Sequence, residues 1–357
     1  MQNILVRADS SHIIGIGHIM RCLTLLKALQ RVKSFTAIFV CRPFSGNAGA
    51  AIRQSGFYVH WLSTAETEPQ LENYASWLGA TKDQDADETS AIIHRSYPFL
   101  LITDHYGIDS DWYNKLDYAG QVLAIDDLAN RYHQADFLLD QTLGRQPESY
   151  RTLVPDDCQI LTGTQFALLR EEFQSLSDPI PNRISASSPR KKLLVMLGGT
   201  DPENLTLQVL LLICPTEFPD VTVVLGPTSS HHQVVSEYCE KNNWEFIPGT
   251  NDVPSLMWSH DISVGSSGTT SWERCCCALP SITIQQAENQ LSISQSLENA
   301  GAARILKKLD KEALSSALKD WVWSDEAYHG AALACREVCD GQGANRVINE
   351  IVNNVKK

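Results

Sequence analysis

A short apolar run, a loop with two glycines and an amphipathic segment follow one another at the start of the chain. Residues 4–6 are apolar and predict a buried strand. The apolar residues after the loop recur at helical spacing: Ile19, Cys22, Leu23, Leu26 and Leu29. Gly15 and Gly17 therefore lie at a strand-to-helix turn, and His18 begins the helix. This pattern is typical of doubly wound α/β sheets, which bind ligands at the carboxyl ends of their strands.

The position of His18 at the start of a helix favours a chemical role. The free N–H groups and the positive end of the helix dipole disfavour the imidazolium form, so we expect a neutral imidazole. A neutral imidazole is the form that a general base requires. Gly15 and Gly17 lack a Cβ and allow backbone and substrate to approach closely. The alternative is that His18 only hydrogen-bonds its own loop.

The glycine turn does not match a dinucleotide fingerprint. The pattern G-x-G-x-x-G requires glycine at position 20, which is Met20, and no acidic residue ends the second predicted strand at residues 37–42. These differences disfavour NAD and FAD, and we expect no cofactor.

Length, charge and cysteine content limit the class of protein. A chain of 357 residues favours two domains. A net charge of −13 disfavours nucleic acid or an anionic membrane as the main partner. Ten cysteines without regular spacing, and no leader-like or membrane-spanning apolar run, predict a reduced cytoplasmic protein. Because no C-x-x-C pair is matched by a second such pair or by histidine at ligand spacing, we expect no metal.

Carboxylates follow three predicted strands of the first half. Asp104, the pair Asp126 and Asp127, and Asp140 come directly after apolar runs. The runs are residues 99–103, 122–125 and 137–139. These carboxylates are expected at the same sheet edge as His18, and Tyr106 is placed to donate a hydrogen bond there. The alternative is that each aspartate closes its own loop.

A second strand and helix alternation begins at residue 193. Residues 175–192 carry three prolines and five serines and predict a linker. The predicted organisation is a first domain at 1–174, a nucleotide-binding domain at 193–325 and C-terminal helices at 326–357. The acidic run within residues 64–90 is interpreted as a solvated helix face with loops.

The segment from Gly265 to Glu273 is the second predicted chemical centre. Its small residues expose backbone N–H groups beside a helix start, an arrangement that suits a diphosphate. Glu273 lies one helical turn beyond Thr269, within reach of a ribose diol. No Gly-Lys-Ser/Thr follows, so the segment is not a P-loop. The alternative is an ordinary strand-to-helix connection with an exposed glutamate.

These motifs together resemble one enzyme family. The chain is similar to the UDP-2,4-diacetamido-2,4,6-trideoxy-β-L-altropyranose hydrolases of pseudaminic acid biosynthesis, and more distantly to the UDP-GlcNAc transferase that makes lipid II. The matching stretches cover nearly the whole chain: RADSSHIIGIGHIMRCLTLLKAL, TDHYGID, IDDLANRYHQADFLLDQT, GTQFALLREEF, LGGTDPEN, GSSGTTSWERCCCALP, AENQ and DGQGANRV. The resemblance implies a GT-B-like α/β fold of two Rossmann-like, doubly wound domains that face each other across a cleft.

The resemblance also implies the reaction and the residues that perform it. The family hydrolyses a UDP-sugar at its anomeric carbon, with inversion and without a metal. His18 would activate water, and Tyr106 and Asn289 would be further catalytic groups. Substrate-binding residues carried over by motif are Gly199 and Thr200, with Ser267, Gly268 and Thr269 at the diphosphate and Glu273 at the ribose. The predicted binding set is completed by Gly15, Gly17, Arg21, Asp104 and Gln290.

Three other functions remain open from the sequence. A GT-B glycosyltransferase would pass the sugar to an acceptor, and a nucleotide-sugar binding protein would not turn it over. A metal-dependent hydrolase would use Asp104, Asp126 and Asp127. The expected partner is a UDP-sugar, and the expected state is a monomer or a weak oligomer.

Overall fold

The computed structural model describes residues 2–71, 73–175, 189–198, 201–226, 229–250, 252–284 and 291–354. Contacts between Cα atoms divide the chain into two compact units, Met1–Leu168 together with Gln342–Lys357, and Leu169–Gly341. Each unit is built on one parallel sheet with flanking helices. The predicted α/β class with two doubly wound sheets is therefore confirmed.

The first unit carries a parallel sheet whose strands are β1 (Gln2–Ala8), β2 (Phe35–Cys41), β3 (Tyr58–Trp61), β4 (Pro98–Asp104), β5 (Gln121–Ile125), β6 (Phe137–Asp140) and β7 (Gln159–Thr162). Its first helices are α1 (Gly17–Gln30), α2 (Gly49–Gln54), α3 (Lys82–Ser96) and α4 (Ser110–Lys115). Short 3₁₀ turns lie at Tyr74–Leu78, Pro147–Ser149 and Thr164–Phe166.

The strand order of this sheet, β3-β2-β1-β4-β5-β6-β7, places β1 beside β4. The order reverses between these two strands, because the chain winds outward from β1 on one side and from β4 on the other. Such a switch point is where open α/β sheets bind ligands. The loop that follows β1 and the residues that end β4 therefore share one edge, which is where the sequence places its first chemical centre.

The second unit repeats this plan with β8 (Lys192–Met196), β9 (Asp220–Leu225), β10 (Glu245–Pro248), β11 (Ile262–Ser266), β12 (Ser281–Ile284) and β13 (Ala303–Ile305). Its helices are α5 (Glu171–Ser175), α6 (Leu205–Leu212), α7 (His232–Lys241), α8 (Val253–Ser259), α9 (Thr270–Cys276), α10 (Leu291–Asn299), α11 (Lys311–Trp323) and α12 (Asp325–Val338). The strand order is β10-β9-β8-β11-β12-β13. Its switch point lies between β8 and β11. In the sequence, β8 precedes the stretch LGGTDPEN, and β11 leads into the segment from Gly265 to Glu273.

The last helix, α13 (Gly343–Asn354), belongs to the first unit. Its apolar face packs into the same core as α1, through Val347, Ile348 and Ile351. The sequence-based division treats residues 326–357 as one segment, whereas the structure assigns α12 and α13 to different units.

Local differences from the predictions have identifiable causes. From the sequence, a helix is also predicted to begin near Ser45, and it begins at Gly49. A further helix is predicted with Pro202 near its first position, and it begins at Leu205, because Asn204 is its N-cap and Asp201 accepts hydrogen bonds from the backbone N–H groups of Leu205 and Thr206. Most of the predicted linker, residues 176–188, lies outside the described residues. None of the helices in the described ranges is long and apolar enough to cross a bilayer.

The interpretation of the acidic run as a solvated face is wrong for Asp85. This residue of α3 is fully buried and accepts hydrogen bonds from Arg7, Arg42 and the indole N–H of Trp112 at 2.7 to 3.0 Å. Burial opposes the charged carboxylate, but Arg7 outweighs it and lowers the pKa of Asp85. The carboxylate thereby ties α3 to β1 and to Arg42, which directly follows β2.

Candidate active site

His18 and Asp104 meet at the switch point of the first sheet. Ala8 at the end of β1 pairs in register with Asp104 at the end of β4. His18 is the second residue of α1 and is 7% exposed. Its Nδ1 lies 2.6 Å from Oδ1 of Asp104. The structure thus brings together a histidine and a carboxylate that lie 86 positions apart in the sequence.

The charge of Asp104 selects the tautomer of the neutral imidazole. Burial opposes ionisation of this carboxyl, but Arg21 and His18 outweigh burial and hold the pKa of Asp104 well below its ordinary value. An ionised carboxylate only accepts hydrogen bonds, so Nδ1 of His18 carries the proton and donates it. Nε2 of the neutral ring is then unprotonated, which is the arrangement of a general base.

Arg21 holds Asp104 through both carboxylate oxygens. Its Nε lies 2.5 Å from Oδ2 and its Nη2 lies 2.6 Å from Oδ1, so the pair is bidentate. Nη2 also lies 3.3 Å from Nδ1 of His18. The nearby guanidinium therefore offsets the charge of Asp104 beside the ring.

Tyr106 and Asp127 extend this network. The Tyr106 hydroxyl donates to Oδ1 of Asp127 at 2.5 Å, and Nη1 of Arg21 lies 3.1 Å from Oδ2 of the same carboxylate. Burial, and then the Asp127 charge, raise the pKa of Tyr106 well above its ordinary value, so its phenol stays a donor. The Tyr106 ring packs edge-on to His18, with ring centres 4.8 Å apart.

The other predicted carboxylates have different partners. Asp126 and Asp140 are fully buried, and both accept from the hydroxyl of Tyr150, at 2.8 and 2.9 Å. Arg131 pairs with Asp126, and Arg145 pairs with Asp140. These residues form a buried network that joins the ends of β5 and β6. For Asp126 and Asp140, this agrees with the alternative that strand-end aspartates close their own loops.

The glycine loop before α1 is held by its own hydrogen bonds. The hydroxyl of Ser11 accepts from the N–H groups of Ile13 and Ile14, and the N–H of Gly15 donates to the carbonyl of Ser11. Gly15 has a φ of +77°, which favours glycine at this turn. A Cβ at either Gly15 or Gly17 would meet no atom within 4 Å, so both border open space.

The second glycine segment follows β11 at the switch point of the second sheet. Ser267 is fully buried and accepts a hydrogen bond from Ser294 at 2.7 Å, which leaves its own O–H to donate. A Cβ at Gly268 would meet no atom within 4 Å. Thr269 is the N-cap of α9, and its side chain makes no capping hydrogen bond. The segment therefore presents small residues and an uncapped helix start.

Glu273 lies one turn into α9 and is half-buried. Burial raises the pKa of Glu273 to about 7, although Arg170 and Arg274 act in the opposite direction. Arg274 is 1% exposed, and its Nη2 donates to the carbonyl of Ser266 at 2.6 Å and to the hydroxyl of Ser271 at 2.9 Å. This buried cation fixes the backbone that enters the helix.

Four predicted site residues lie outside the described residues: Gly199, Thr200, Asn289 and Gln290. From the sequence, His18, Arg21, Asp104 and Tyr106 are expected near one another, and Asp127 is expected only as one of the strand-end carboxylates. The sequence does not single out Tyr74 or Trp77. All cysteines are free thiols. Across the described ranges, no group of three or more His, Cys, Asp or Glu side chains is placed to hold a metal ion.

The two doubly wound sheets and their switch points are those of a GT-B protein. MurG of Acinetobacter baumannii matches 99% of this chain and 100% of its own at a TM-score of 0.68 and 11% identity. The structure of Phytolacca americana UGT2, complexed with UDP-2-fluoro-glucose and pterostilbene, aligns over 100% of this chain and 100% of its own, at a TM-score of 0.70 and 11% identity. The structure of UDP-GlcNAc 2-epimerase from Neisseria meningitidis, bound to UDP-GlcNAc, aligns over 99% of this chain and 100% of its own, at a TM-score of 0.61 and 14% identity.

Sequence comparison is more specific, although no protein-family model matches the chain. The UDP-2,4-diacetamido-2,4,6-trideoxy-β-L-altropyranose hydrolase of Campylobacter jejuni is 31% identical over 232 residues, which are 64% of this chain and 69% of that protein. The spore coat polysaccharide biosynthesis protein SpsG of Bacillus subtilis is 23% identical over 305 residues, 83% of this chain and 81% of its own. The chain belongs to the family of the Campylobacter hydrolase.

Proposed function

We propose that this protein hydrolyses a UDP-linked, N-acetylated 6-deoxyhexose at its anomeric carbon, as a step of pseudaminic acid biosynthesis. The observation that carries the proposal is the buried pair of His18 and Asp104 in a chain of this family. The substrate named for the Campylobacter relative, UDP-2,4-diacetamido-2,4,6-trideoxy-β-L-altropyranose, is the first compound to test.

His18 is the proposed general base. Nε2 takes a proton from a water molecule while the water oxygen attacks the anomeric carbon from the face opposite UDP. The bond from that carbon to the UDP oxygen breaks, UDP leaves with the electron pair, and the sugar is released with inverted configuration. Because UDP is a good leaving group, the second carboxylic acid of ordinary inverting glycosidases is dispensable. The proposed reaction uses no metal and no cofactor.

Asp104 and Arg21 are proposed to act through His18. Both oxygens of Asp104 are engaged and its side chain is fully buried, so its effect on the reaction is orientation of the ring and stabilisation of the imidazolium that forms. Tyr106 is proposed to face the sugar beside His18, and Gly15 and Gly17 to allow its close approach. Asn289 remains a proposed catalytic group on the family resemblance.

The nucleotide is proposed to bind the second unit. The Ser267 hydroxyl and the backbone N–H groups at Gly268 and Thr269 suit diphosphate oxygens, and the Glu273 carboxylate suits the ribose hydroxyls. Gly199, Thr200 and Gln290 complete the proposed binding set.

Glu273→Ala is expected to weaken UDP binding by about 10- to 100-fold, because hydrogen bonds to a charged acceptor contribute about 1.5 to 3 kcal/mol. Titration calorimetry with UDP measures the effect, and kcat at saturating UDP-sugar should change little. Glu240→Ala, an exposed glutamate on α7, is the matched control. A fall in kcat with unchanged UDP affinity would contradict the ribose role.

The affinity for UDP is also expected to depend on pH through Glu273. A carboxyl with its pKa raised to about 7 is mostly neutral at about pH 6 and mostly ionised at about pH 8. The carboxylate is the stronger acceptor, so affinity should rise by about three- to tenfold over this interval. Since the terminal phosphate of UDP titrates in a similar range, the informative quantity is the difference between the wild-type and Glu273→Gln profiles. Identical profiles would remove Glu273 from the site.

Two observations decide between hydrolysis and its alternatives. Release of UDP from the purified protein and UDP-sugar alone, with free sugar as the other product, supports hydrolysis. The second candidate, a glycosyltransferase, is favoured by the fold shared with MurG and would release UDP only when an acceptor is added. A protein that binds the UDP-sugar and releases no UDP under either condition is a binding protein.

A further inference from the structure

Three aromatic rings lie beside the proposed base. Tyr74 and Trp77 come from the 3₁₀ turn at Tyr74–Leu78, and Tyr106 follows β4. Trp77 stacks on Tyr106 with ring centres 5.2 Å apart, and Tyr74 packs edge-on to both, at 5.0 Å from Trp77 and 4.9 Å from Tyr106. Trp77 also meets His18 edge-on at 6.0 Å. We call Tyr74, Trp77 and Tyr106 the aromatic wall.

A hydrogen bond of Trp77 and a close backbone contact hold the aromatic wall in place. Trp77 is 5% exposed, and its indole N–H donates to the carbonyl of Gln70 at 2.9 Å. The 3₁₀ turn lies tightly against the residue after Tyr106, because a Cβ at Gly107 would approach the carbonyl oxygen of Tyr74 to 2.8 Å. The rings of Tyr74 and Tyr106 are therefore ordered before a ligand binds, which lowers the entropic cost of binding.

The accessible part of the aromatic wall consists of the ring carbons of two tyrosines and the Tyr74 hydroxyl. Tyr74 and Tyr106 are half-buried, so part of each ring is accessible. The Tyr106 hydroxyl is engaged by Asp127, which leaves ring carbons as what this residue offers to a ligand. An apolar surface next to a general base suits an apolar part of the reacting sugar.

We infer that the aromatic wall binds the methyl-bearing face of a 6-deoxy sugar and makes Tyr74 a residue that determines specificity at carbon 6. A methyl group gains from burial against the ring carbons, whereas the hydroxymethyl group of an ordinary hexose would lose part of the hydration of its hydroxyl there. Apolar sites distinguish such pairs by about 10- to 100-fold. The inference rests on the proposed function, because it places the sugar of a UDP-sugar beside His18.

The test is a binding experiment that requires no turnover. The dissociation constants of UDP-N-acetylglucosamine and of its 6-deoxy counterpart are measured by competition against UDP at low temperature, for the wild type and for Tyr74→Ala. The wild type is expected to prefer the 6-deoxy compound by about tenfold or more, and Tyr74→Ala to reduce this ratio to about one to two while binding UDP as the wild type does. Tyr74→Phe keeps the ring and should keep the ratio.

A matched control is Tyr58→Ala, which removes a 66% exposed tyrosine from β3 of the same unit and should leave the ratio unchanged. Should Tyr74→Ala fail to fold, saturation-transfer NMR on the wild type decides: selective irradiation of aromatic protons should saturate the sugar methyl more strongly than the other sugar protons. Equal affinities in the wild type, an unchanged ratio in Tyr74→Ala, or a weak methyl signal would overturn the inference.

Failure of the inference and failure of the proposed function are distinguishable. UDP release without a preference at carbon 6 leaves hydrolysis standing and removes the aromatic wall as a sugar site. If Tyr74→Ala abolishes the preference at carbon 6 and the protein releases no UDP, the aromatic wall is supported as a sugar site and the proposed hydrolysis is contradicted. Absence of binding by either UDP-sugar overturns both.

Discussion

Replacement of His18 by Phe is expected to lower kcat by about 10²- to 10⁴-fold and to leave the dissociation constant of UDP within about twofold of the wild type, since this is the usual contribution of a placed general base. Phe keeps an aromatic ring against Tyr106 and loses the nitrogen that takes the proton from water. The loss should therefore appear in the chemical step, measured as UDP release in single turnovers, and not in nucleotide affinity measured by calorimetry.

His18→Gln and His12→Phe separate catalysis from folding. Phe also removes a donor to the buried carboxylate of Asp104, whereas Gln can still donate to it and is no base. Both His18 variants should lose turnover, but Gln should retain more thermal stability. His12→Phe changes an exposed histidine of the same loop and should keep full turnover. Equal losses of kcat and UDP affinity in the His18 variants would place this residue in binding instead.

Asp104→Asn is expected to reduce kcat by about 10²- to 10⁴-fold, with KM nearly unchanged. The amide of Asn can present an N–H to His18, which favours the tautomer with the proton on Nε2 and so blocks the base. The charge that stabilises the imidazolium during proton transfer is lost as well. Steady-state kinetics provides the readout, because a group that acts through the base lowers kcat and leaves KM nearly unchanged.

The control for Asp104→Asn is Asp127→Asn, which changes the partner of Tyr106 and Arg21 without touching His18. Its effect on kcat should be smaller. Because Asp104 also compensates Arg21, the melting temperature of each variant is measured in parallel. Wild-type kcat in Asp104→Asn, or a loss of kcat no larger than that of Asp127→Asn, would mean that Asp104 is structural only.

Much of the fold could be predicted because long apolar runs and helical spacing are local properties. The β1 strand, the glycine loop and α1 were expected from residues 4–29, and the structure confirms them. Two strands that are only partly buried, β10 and β13, escaped prediction, because three or four residues without a continuous apolar run carry too weak a pattern. Their assignment depends on neighbouring strands that lie far away in the sequence.

The candidate site could be predicted only in part, because side-chain direction and pairing are not local. Asp126 and Asp127 are adjacent and look equivalent in the sequence. In the structure, Asp126 accepts a hydrogen bond from Tyr150, whereas Asp127 accepts hydrogen bonds from Arg21 and Tyr106. Asp85 lies in an acidic run that reads as solvated, but arginines from two distant segments bury it. Nothing in residues 64–80 marks Tyr74 and Trp77 as neighbours of His18, since only the folded chain brings them to the end of β4.

The central claim is that water, activated by His18, displaces UDP at the anomeric carbon. Proton NMR of the reaction with UDP-2,4-diacetamido-2,4,6-trideoxy-β-L-altropyranose follows the first-formed anomer before it equilibrates in solution. The account predicts that free sugar appears with the anomeric configuration opposite to that of the substrate, together with one equivalent of UDP. First appearance of the retained anomer, or no free sugar, would contradict it.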